Sequence, residues 1–423
     1  MDDEQHRSLD RTNEEDFVSS GSSVSRTQTE IEAMLVPQLL AAASATLGAM
    51  ALGAAVGWSS PASLQLAEPP FGFGNNVLMI TVGRLLCGVG GGVTSVAAPV
   101  YIGEIATPSQ RGLLGSSFQL MLVTGMLLGY LLVHLYPGGG CQFFLDLSFN
   151  LYDSHDSCSG KSVYLVLRSD ENGAKRALKW LRGKDYCITT ELEEIQNSVA
   201  KQNIGSLTFR ELSKPSILKP FTICVFLMFF SQFTGTNAIV FNLNVIFEAS
   251  GGKMDSNTQS CIVGVVQVAA TIISSILSDR AGRKTLLILS AFAMVICLIV
   301  LGVFFYLQKN DPALATSIGW LPLVSLMIYV TFFSIGFGPI PWAIMGELLP
   351  GNIKNLASSL ASGVVWTSAF ITTFFFDILV SKIDMHGVFW LLASFTVVAG
   401  FFVLFVVPET KGKSLSEIQQ LFI

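Results

Sequence analysis

Residues 279–307 read DRAGRKTLLILSAFAMVICLIVLGVFFYL, and the run from Thr285 to Leu307 contains no charged side chain. A helix needs about 20 mostly apolar residues to cross the hydrocarbon core of a bilayer. The run is long enough, and the basic residues Arg283 and Lys284 before it are typical of the cytosolic end of a spanning helix. This stretch therefore predicts a membrane-spanning α-helix.

The composition and the other apolar runs extend this prediction to the rest of the chain. Of the 423 residues, 51% are hydrophobic and 13% are charged, whereas soluble domains carry about 25% charged residues. Nine segments are long and apolar enough to span a membrane: Met34–Gly57, Asn76–Tyr101, Leu113–Tyr136, Phe221–Phe247, Ser260–Ser278, Thr285–Leu307, Leu321–Gly346, Ala357–Phe376 and Gly387–Val407. We therefore predict an all-α, polytopic membrane protein.

The polar segments indicate which ends of the spans face the cytosol. The acidic, Ser- and Thr-rich residues before the first span are typical of a disordered tail rather than of a signal peptide. The stretch from Arg168 to Lys219 is rich in Lys and Arg, which favours a cytosolic linker. We predict a cytosolic tail over residues 1–33, a truncated N-terminal bundle over 34–136, an irregular segment over 137–167, a cytosolic helical linker over 168–220, a C-terminal six-helix bundle over 221–408 and a cytosolic tail over 409–423.

Counting spans from a cytosolic N-terminus exposes a conflict in the first half. Six spans after the linker return the C-terminal tail to the cytosol, but three spans before the linker leave it outside. The segment from Gly138 to Lys161 cannot supply the missing span, because it contains several Asp side chains and each costs about 2.5–3.5 kcal/mol at mid-membrane. The junction Glu68–Gly74 is equally abrupt. We interpret both places as internal deletions of spanning helices.

Polar amides inside the apolar spans are the candidate substrate ligands. An amide both donates and accepts hydrogen bonds, which suits an uncharged polar solute. The candidates are Gln119, Gln232, Asn237, Asn242 and Gln267. Gln232 and Asn237 are five residues apart, about 140° around the helix if it is regular, and a kink at Gly235 between them turns both toward one cavity. Taken alone, these amides are equally consistent with hydrogen bonds between helices.

A repeated motif indicates that the chain has two related halves. Glu104 lies seven residues before Arg111, and Glu347 lies seven before Lys354, each after an apolar span. Such duplicated halves are typical of transporters that rock about a central site.

The span from Leu321 to Gly346 contains a predicted gate. Pro339 and Pro341 interrupt this span, where proline removes a helical hydrogen bond and creates a hinge. Trp342 beside them offers an apolar ring face against which a solute can pack.

The motifs of the chain together resemble the sugar porter family of the major facilitator superfamily. They are Gly83-Arg84, the Glu104–Arg111 loop, QFTGTN at 232–237, DRAGRK at 279–284, GPIPW at 338–342, Gly346-Glu347 and PETKG at 408–412. The chain looks most like arthropod facilitated trehalose transporters and their vertebrate class III glucose-transporter relatives. The resemblance implies a two-bundle fold with about nine of twelve transmembrane helices present and the second, third and sixth missing.

The resemblance also implies roles for individual residues. It favours the sugar site for the five amides and Trp342, and hinges at Gly235, Pro339 and Pro341. A set of charged residues resembles the cytosolic network that latches the two halves of family members: Arg84, Glu104, Arg111, Asp279, Arg280, Arg283, Glu347 and Lys354. Simple interfacial anchoring is the alternative for these charges. The chain departs from the family pattern at Ser231, Asn242, Val365 and Lys354-Asn355, which leaves the identity of the sugar open.

The sequence favours a facilitative sugar transporter in the plasma membrane. The first span contains no Asp or Glu, whereas proton-coupled sugar porters carry an acid there, so we expect uniport of trehalose or a hexose such as glucose by alternating access. Two alternatives stay open: a proton-coupled symporter, and a truncated isoform that senses sugar or binds a partner without transport. The motifs predict no enzyme, metal or cofactor, the acidic charge of −5 argues against nucleic acid, and no oligomeric state is indicated.

Overall fold

The computed structural model describes residues 35–65, 77–105, 111–135, 165–166, 170–183, 188–189, 191–193, 195–196, 215–252, 254–349 and 354–410 of the chain. These ranges are almost entirely helical and contain no β-strand. The helices are α1 Leu35–Ala45, α2 Leu47–Gln65, α3 Val77–Ile105, α4 Arg111–Leu135, α5 Glu171–Arg182, α6 Pro215–Phe233, α7 Thr236–Phe241, α8 Leu243–Ser250, α9 Ser256–Ala281, α10 Arg283–Asn310, α11 Pro312–Ser317, α12 Leu321–Ile335, α13 Ile340–Leu348 and α14 Lys354–Phe405.

The spanning helices confirm the predicted class of membrane protein. Within the described ranges, seven helical stretches are long and apolar enough to cross a bilayer, and the pair Val36–Ala45 and Leu47–Ser60, bent by 44°, makes an eighth. The stretch Leu356–Phe405 has 50 residues, about twice what a bilayer requires. Its helix breaks at Asp384, whose φ of 58° and ψ of 170° are not helical. Divided at Asp384, this stretch provides two spans, one on each side. With the bent pair, the described ranges then contain the nine spans that the sequence predicts.

Small residues let α2 and α4 approach each other closely. A Cβ added to Gly53 would lie 1.8 Å from the carbonyl oxygen of Leu122, and one added to Gly125 would lie 2.0 Å from the carbonyl oxygen of Met50. In a membrane, where burial of apolar surface does not drive helices together, such backbone contact supplies the packing energy. The glycines on both helices therefore fix the first helix pair of the structure.

Three breaks interrupt the helices of the C-terminal half. Gly235, with φ of +91°, separates α6 from α7, and Asn242 separates α7 from α8. Gly336 ends α12, and a Cβ on it would lie 2.3 Å from the Cβ of Ser290, so only glycine permits α10 this close. These breaks place polar side chains and free backbone groups in the interior of otherwise apolar helices.

The helix α3 is the least covered of the spanning helices. Only 17% of its span is buried, and Leu85, Leu86, Val89 and Val93 are exposed. Of the glycines on α3, Gly91 approaches the side chain of Leu52, while Gly88 and Gly92 face open space. The exposed side of α3 is apolar, as a surface in contact with lipid or with another helix must be.

The described residues fall into two compact units, and the smaller one contains the start of α1, up to Ala41, together with α5 and the described residues on either side of α5. In this unit Asp170 caps α5 by accepting a hydrogen bond from the N–H of Gly173 at 2.9 Å. Arg182, only 4% exposed, donates to Glu191 with an Nη2–Oε1 distance of 2.6 Å. A buried Arg is tolerated only with such a partner, so this pair fixes the end of α5 against the residues that follow. The larger unit contains the rest of α1 and all the other helices, including all residues of the site described below.

Candidate substrate cavity

A cavity of about 440 Å³ lies between the helices of the first half and those of the second half. Its walls come from α2 and α4 on one side and from α6, α7, α9, α12, α13 and α14 on the other. The volume lies within the range of about 300–1,000 Å³ that is usual for small-molecule sites. Five of the six predicted substrate ligands line it: Gln119, Gln232, Asn237, Gln267 and Trp342.

The break at Gly235 brings Gln232 and Asn237 to the same cavity. The amide Nδ2 of Asn237 donates to the Oε1 of Gln232 at 2.6 Å. Tyr329 fixes the break, because its hydroxyl donates to the carbonyl of Thr234 at 2.9 Å and lies 3.0 Å from the hydroxyl of Thr236. The two amides are therefore held together before any solute arrives, and each retains further hydrogen-bonding capacity.

Gln119 and Gln267 present amides that are free to bind a solute. Gln267 is only 2% exposed, yet its amide has no hydrogen-bond partner among the residues that the structure describes. The amide of Gln119, which is half-buried on the opposite wall, also has no hydrogen-bond partner within those residues. A buried amide without a partner is costly, because folding removes its bonds to water without replacing them. A hydroxylated solute or ordered water in the cavity supplies the missing partners.

Aromatic rings form the apolar part of the wall. The rings of Phe118 and Trp342 lie 6.4 Å apart at 55° and join the two halves beside the cavity. Trp366, which the sequence analysis did not propose as a ligand, also lines the cavity and donates its indole N–H to the hydroxyl of Ser95 at 2.9 Å. In the sequence Trp366 is recognisable only as a Trp within an apolar span. Assigning it to the cavity requires knowledge of which face of α14 is turned inward.

Asn242 lies elsewhere. It separates α7 from α8, and its Nδ2 donates to the carbonyl of Ala238 at 2.9 Å. The residue is not part of the cavity wall, unlike Phe241 immediately before it. Its amide stabilises the end of α7 by bonding to one of the last carbonyls of that helix. The polarity of the side chain alone does not reveal this role, because the helix break cannot be recognised from it.

The predicted proline hinge is a real break in the helix. After α12 ends at Ile335, the N–H of Gly338 donates to the carbonyl of Phe333 at 2.8 Å, and α13 begins at Ile340. Pro339 precedes α13 and Pro341 lies in its first turn, where the missing N–H costs no helical hydrogen bond. Gly338 and Trp342 both line the cavity, so this break forms part of its wall.

The structure corrects one member of the predicted cytosolic charge network. Arg84 and Glu104 lie on one continuous helix, 20 residues or about 30 Å apart, which is the thickness of the hydrocarbon core. The guanidinium of Arg84 donates to the carbonyl of Ala55 at 3.0 Å and to the hydroxyl of Ser59, both of them on α2. Arg84 therefore lies near the opposite end of α3 from Glu104, too far away to join the same charge network.

The other charged residues of that network are only partly described. The N–H groups of Arg283 and Lys284, at the start of α10, donate to the two carboxylate oxygens of Glu409 at 3.1 and 3.2 Å. A carboxylate at a helix N-terminus is stabilised by the helix dipole, so this contact ties the C-terminal end of the chain to α10. The side chains of six members lie outside the described residues: Glu104, Arg111, Asp279, Arg280, Glu347 and Lys354.

The fold and the cavity define the class of this molecule as a polytopic α-helical membrane transporter. A family model described as "Sugar (and other) transporter" matches residues 40–139 and 161–422. The chain belongs to this family. The match is interrupted over residues 140–160, within the segment that the sequence analysis could not place as a membrane span.

Individual relatives agree with this assignment. The facilitated trehalose transporter of Bombyx mori is 41% identical over 348 residues, which cover 81% of this chain and 68% of that protein. The corresponding protein of Polypedilum vanderplanki is 41% identical over 358 residues, covering 82% of this chain and 69% of that protein. The Aedes aegypti protein is longer, and at 40% identity the match covers 43% of it.

Solved structures share the fold. The proton:xylose symporter XylE bound to 6-bromo-6-deoxy-D-glucose superimposes with a TM-score of 0.68 at 24% identity, over 92% of this chain and 87% of that chain. A double-tryptophan variant of XylE gives 0.69 at 24% identity, over 90% and 82%. This likeness confirms the fold of the major facilitator superfamily.

Proposed function

We propose that the protein is a facilitative transporter of the plasma membrane that carries trehalose, or a hexose such as glucose, down its gradient by alternating access. The observation that carries the proposal is the composition of the cavity wall. Four amides face a volume of about 440 Å³, and Gln119 and Gln267 have no hydrogen-bond partner within the described residues. Amides suit sugar hydroxyls because both groups donate and accept.

The absence of charge in the wall supports uniport. None of the described residues that line the cavity is acidic or basic. A proton-coupled transporter needs a group that binds and releases a proton in step with the solute, and such groups inside a membrane protein are Asp, Glu or His. An amide remains neutral at every physiological pH. The relatives with 41% identity are named as facilitated transporters of trehalose, which favours the same substrate here.

Uptake into sealed vesicles tests this proposal. We expect purified chain in liposomes to take up radiolabelled trehalose or glucose saturably, at a rate that an inward proton gradient changes by less than about twofold, because the cavity wall has no group to titrate. Protein-free liposomes and a non-metabolised polyol are the controls. Uptake that requires the proton gradient would overturn uniport and favour a symporter.

A second candidate function is supported by the incomplete covering of α3. The exposed side chains of Leu85, Leu86, Val89 and Val93, with open space beside Gly88 and Gly92, leave one side of this helix without a neighbour among the described residues. A chain of this shape could bind sugar and signal its presence without carrying it. Binding of trehalose to the purified protein, measured by calorimetry, together with no uptake into liposomes would favour this candidate over transport.

A further inference from the structure

The wall that α14 contributes to the cavity is apolar, in contrast to the wall that carries the amides. Six residues of α14 line the cavity: Val365, Trp366, Ala369, Phe370, Thr373 and Phe374. Among them only Thr373 and the indole of Trp366 carry a polar group, and that indole already donates to Ser95 at 2.9 Å. The amides of the second half lie on α6, α7 and α9 instead. The cavity therefore has an amide side and an aromatic side.

Phe370 and Phe374 belong to the aromatic side and are nevertheless exposed. Phe370 is 62% exposed and Phe374 is 56% exposed, whereas the other described residues of the wall are buried or half-buried. The two rings stack on each other with centroids 5.4 Å apart at 25°. Within the described residues, their one further ring contact is to Phe375 on the same helix. The wall of the cavity is therefore incomplete at these two rings.

The exposed side of Phe374 belongs to the face of α14 that is turned toward lipid. Four exposed apolar residues follow the i, i+3, i+4, i+7 spacing of one helix face, and they are Ile371, Phe374, Phe375 and Ile378. In a membrane protein such a face contacts hydrocarbon. Phe374 also follows Trp366 by two helical turns on the face that lines the cavity. Phe374 therefore lies where the lipid-facing surface and the cavity wall meet.

Phe370 and Phe374 lie at the depth of the hydrocarbon core. Phe370 is midway between Leu356, where the span begins, and the break at Asp384, about 21 Å from each. Phe374 is about 6 Å further along the helix. The hydrocarbon core is about 30 Å thick, so both rings lie within about 15 Å of its middle. The incomplete wall therefore faces the hydrocarbon chains of the lipids and not their headgroups.

We propose that the cavity opens sideways into the bilayer past Phe370 and Phe374, and that it binds a membrane lipid whose head is an uncharged sugar. The inference rests on the sugar-binding role proposed for the amides, but it does not require transport. The sugar head bonds to the amide side, because its hydroxyls donate and accept. The hydrocarbon chain passes the two rings and remains in lipid, so binding does not transfer it to water.

The composition of the wall selects this class of lipid. A free sugar occupies the amide side alone, and a hydrocarbon chain attached to it also occupies the aromatic side. A phosphate head is disfavoured, because no described residue of the wall is basic and an unpaired charge is costly to bury. An uncharged glycosyl head with a chain at one end matches both sides of the cavity.

Photolabelling from the bilayer tests this inference. The purified chain is placed in phosphatidylcholine nanodiscs that contain octyl β-D-glucoside with a diazirine in its alkyl chain. We expect irradiation to attach this probe to α14 at Phe370 or Phe374, as located by mass spectrometry. Excess methyl β-D-glucoside, which has the same head and no long chain, should reduce this labelling at least fivefold. A control probe with the same alkyl chain on a phosphocholine head should be insensitive to methyl β-D-glucoside.

Two matched variants separate the opening from the rest of the lipid-facing surface. Phe374→Asn and Phe375→Asn each place an amide on the exposed side of α14, but only Phe374 lines the cavity. An amide at the opening holds water there, and each methylene that meets water instead of hydrocarbon loses about fourfold in affinity. We expect Phe374→Asn to weaken binding of the octyl probe, relative to that of methyl β-D-glucoside, about three- to tenfold. Phe375→Asn should leave this ratio unchanged.

Several outcomes would overturn the lipid site. Labelling of Phe370 and Phe374 that methyl β-D-glucoside does not reduce would mean that the chain touches α14 from the bilayer without its head in the cavity. Absence of label at these residues, or an equal loss of affinity in the two variants, would count against the site as well. If Phe374→Asn does not fold, the parent protein and the two probes still distinguish these outcomes.

Uptake into liposomes keeps this test separate from that of the proposed function. Labelling that methyl β-D-glucoside displaces, in a chain that takes up no sugar, would count against transport and support the lipid site. Sugar uptake by a chain whose labelling is not displaced would support transport and overturn the lipid site.

Discussion

The amides of the cavity differ in how far the protein already satisfies them. Gln232 and Asn237 bond to each other, whereas Gln267 is almost completely buried without a described partner. The pair is preorganised, because a solute does not need to pay for ordering it. Gln267 and Gln119 gain the most from a solute, because their amides otherwise depend on trapped water.

Replacing Gln267 should weaken sugar binding more than replacing a glutamine outside the cavity. We expect Gln267→Leu to raise the KM for the transported sugar about two- to tenfold, the effect of losing one neutral hydrogen bond. Gln259→Leu on the same helix is the matched control, because Gln259 is also buried but donates to the carbonyl of Met254, away from the cavity. Initial rates of uptake over a range of concentrations give both values. An equal change in the two variants would mean that Gln267 acts only in folding.

Three assignments of residues show how far the sequence alone leads. The pairing of Gln232 with Asn237 could be predicted, because only a kink at Gly235 lets amides five residues apart meet. The direction of Asn242 could not, because a second break lies at that residue and changes the helical phase. The position of Arg84 could have been predicted, since 20 helical residues separate it from Glu104. The family motif led instead to its assignment to the same charge network as Glu104.

Among the elements, the α2–α4 pair is the one whose packing depends most directly on small residues. Gly125 lies against the backbone of α2, whereas Gly115 on the same helix has nothing within 4 Å of an added Cβ. The same substitution should therefore have opposite effects at these two positions.

We predict that Gly125→Ala lowers the free energy of unfolding by about 1–3 kcal/mol, because the new methyl group forces α2 and α4 apart. Gly115→Ala should be neutral or stabilising by up to about 1 kcal/mol, since alanine favours the helix over glycine. Melting temperatures of the purified proteins in detergent measure both. A Gly125→Ala variant as stable as the parent would mean that the two helices are not held by this backbone contact.

The spans were predicted more reliably than the breaks inside them. Hydropathy reveals a spanning helix because every backbone group must bond within its own segment in lipid. The bend at Thr46 and the break at Asn242 leave the composition of the span unchanged, so hydropathy cannot reveal them. Just after this break, the N–H of Asn244 donates to the hydroxyl of Ser60, which is 184 residues away in the chain and could not be paired with it from the sequence.

At the scale of the whole molecule, the described residues of two groups of helices enclose the cavity and join through individual polar and aromatic contacts. The Ser60–Asn244 and Ser95–Trp366 hydrogen bonds and the Phe118–Trp342 ring pair join the halves around it. Contacts of this kind are weak individually, so their closure and release require little free energy. The central claim is that this interface encloses a neutral, amide-lined site that carries a sugar.

Accelerated exchange of sugar in liposomes tests that claim most directly. The purified chain is reconstituted with unlabelled trehalose or glucose inside and trace labelled sugar outside, with no proton gradient. We predict that internal sugar speeds the entry of label, that Gln232→Leu/Asn237→Leu abolishes this exchange, and that the buried control Gln259→Leu retains it. Exchange that survives the double variant, or a folded parent chain that shows no exchange with either sugar, would contradict the account.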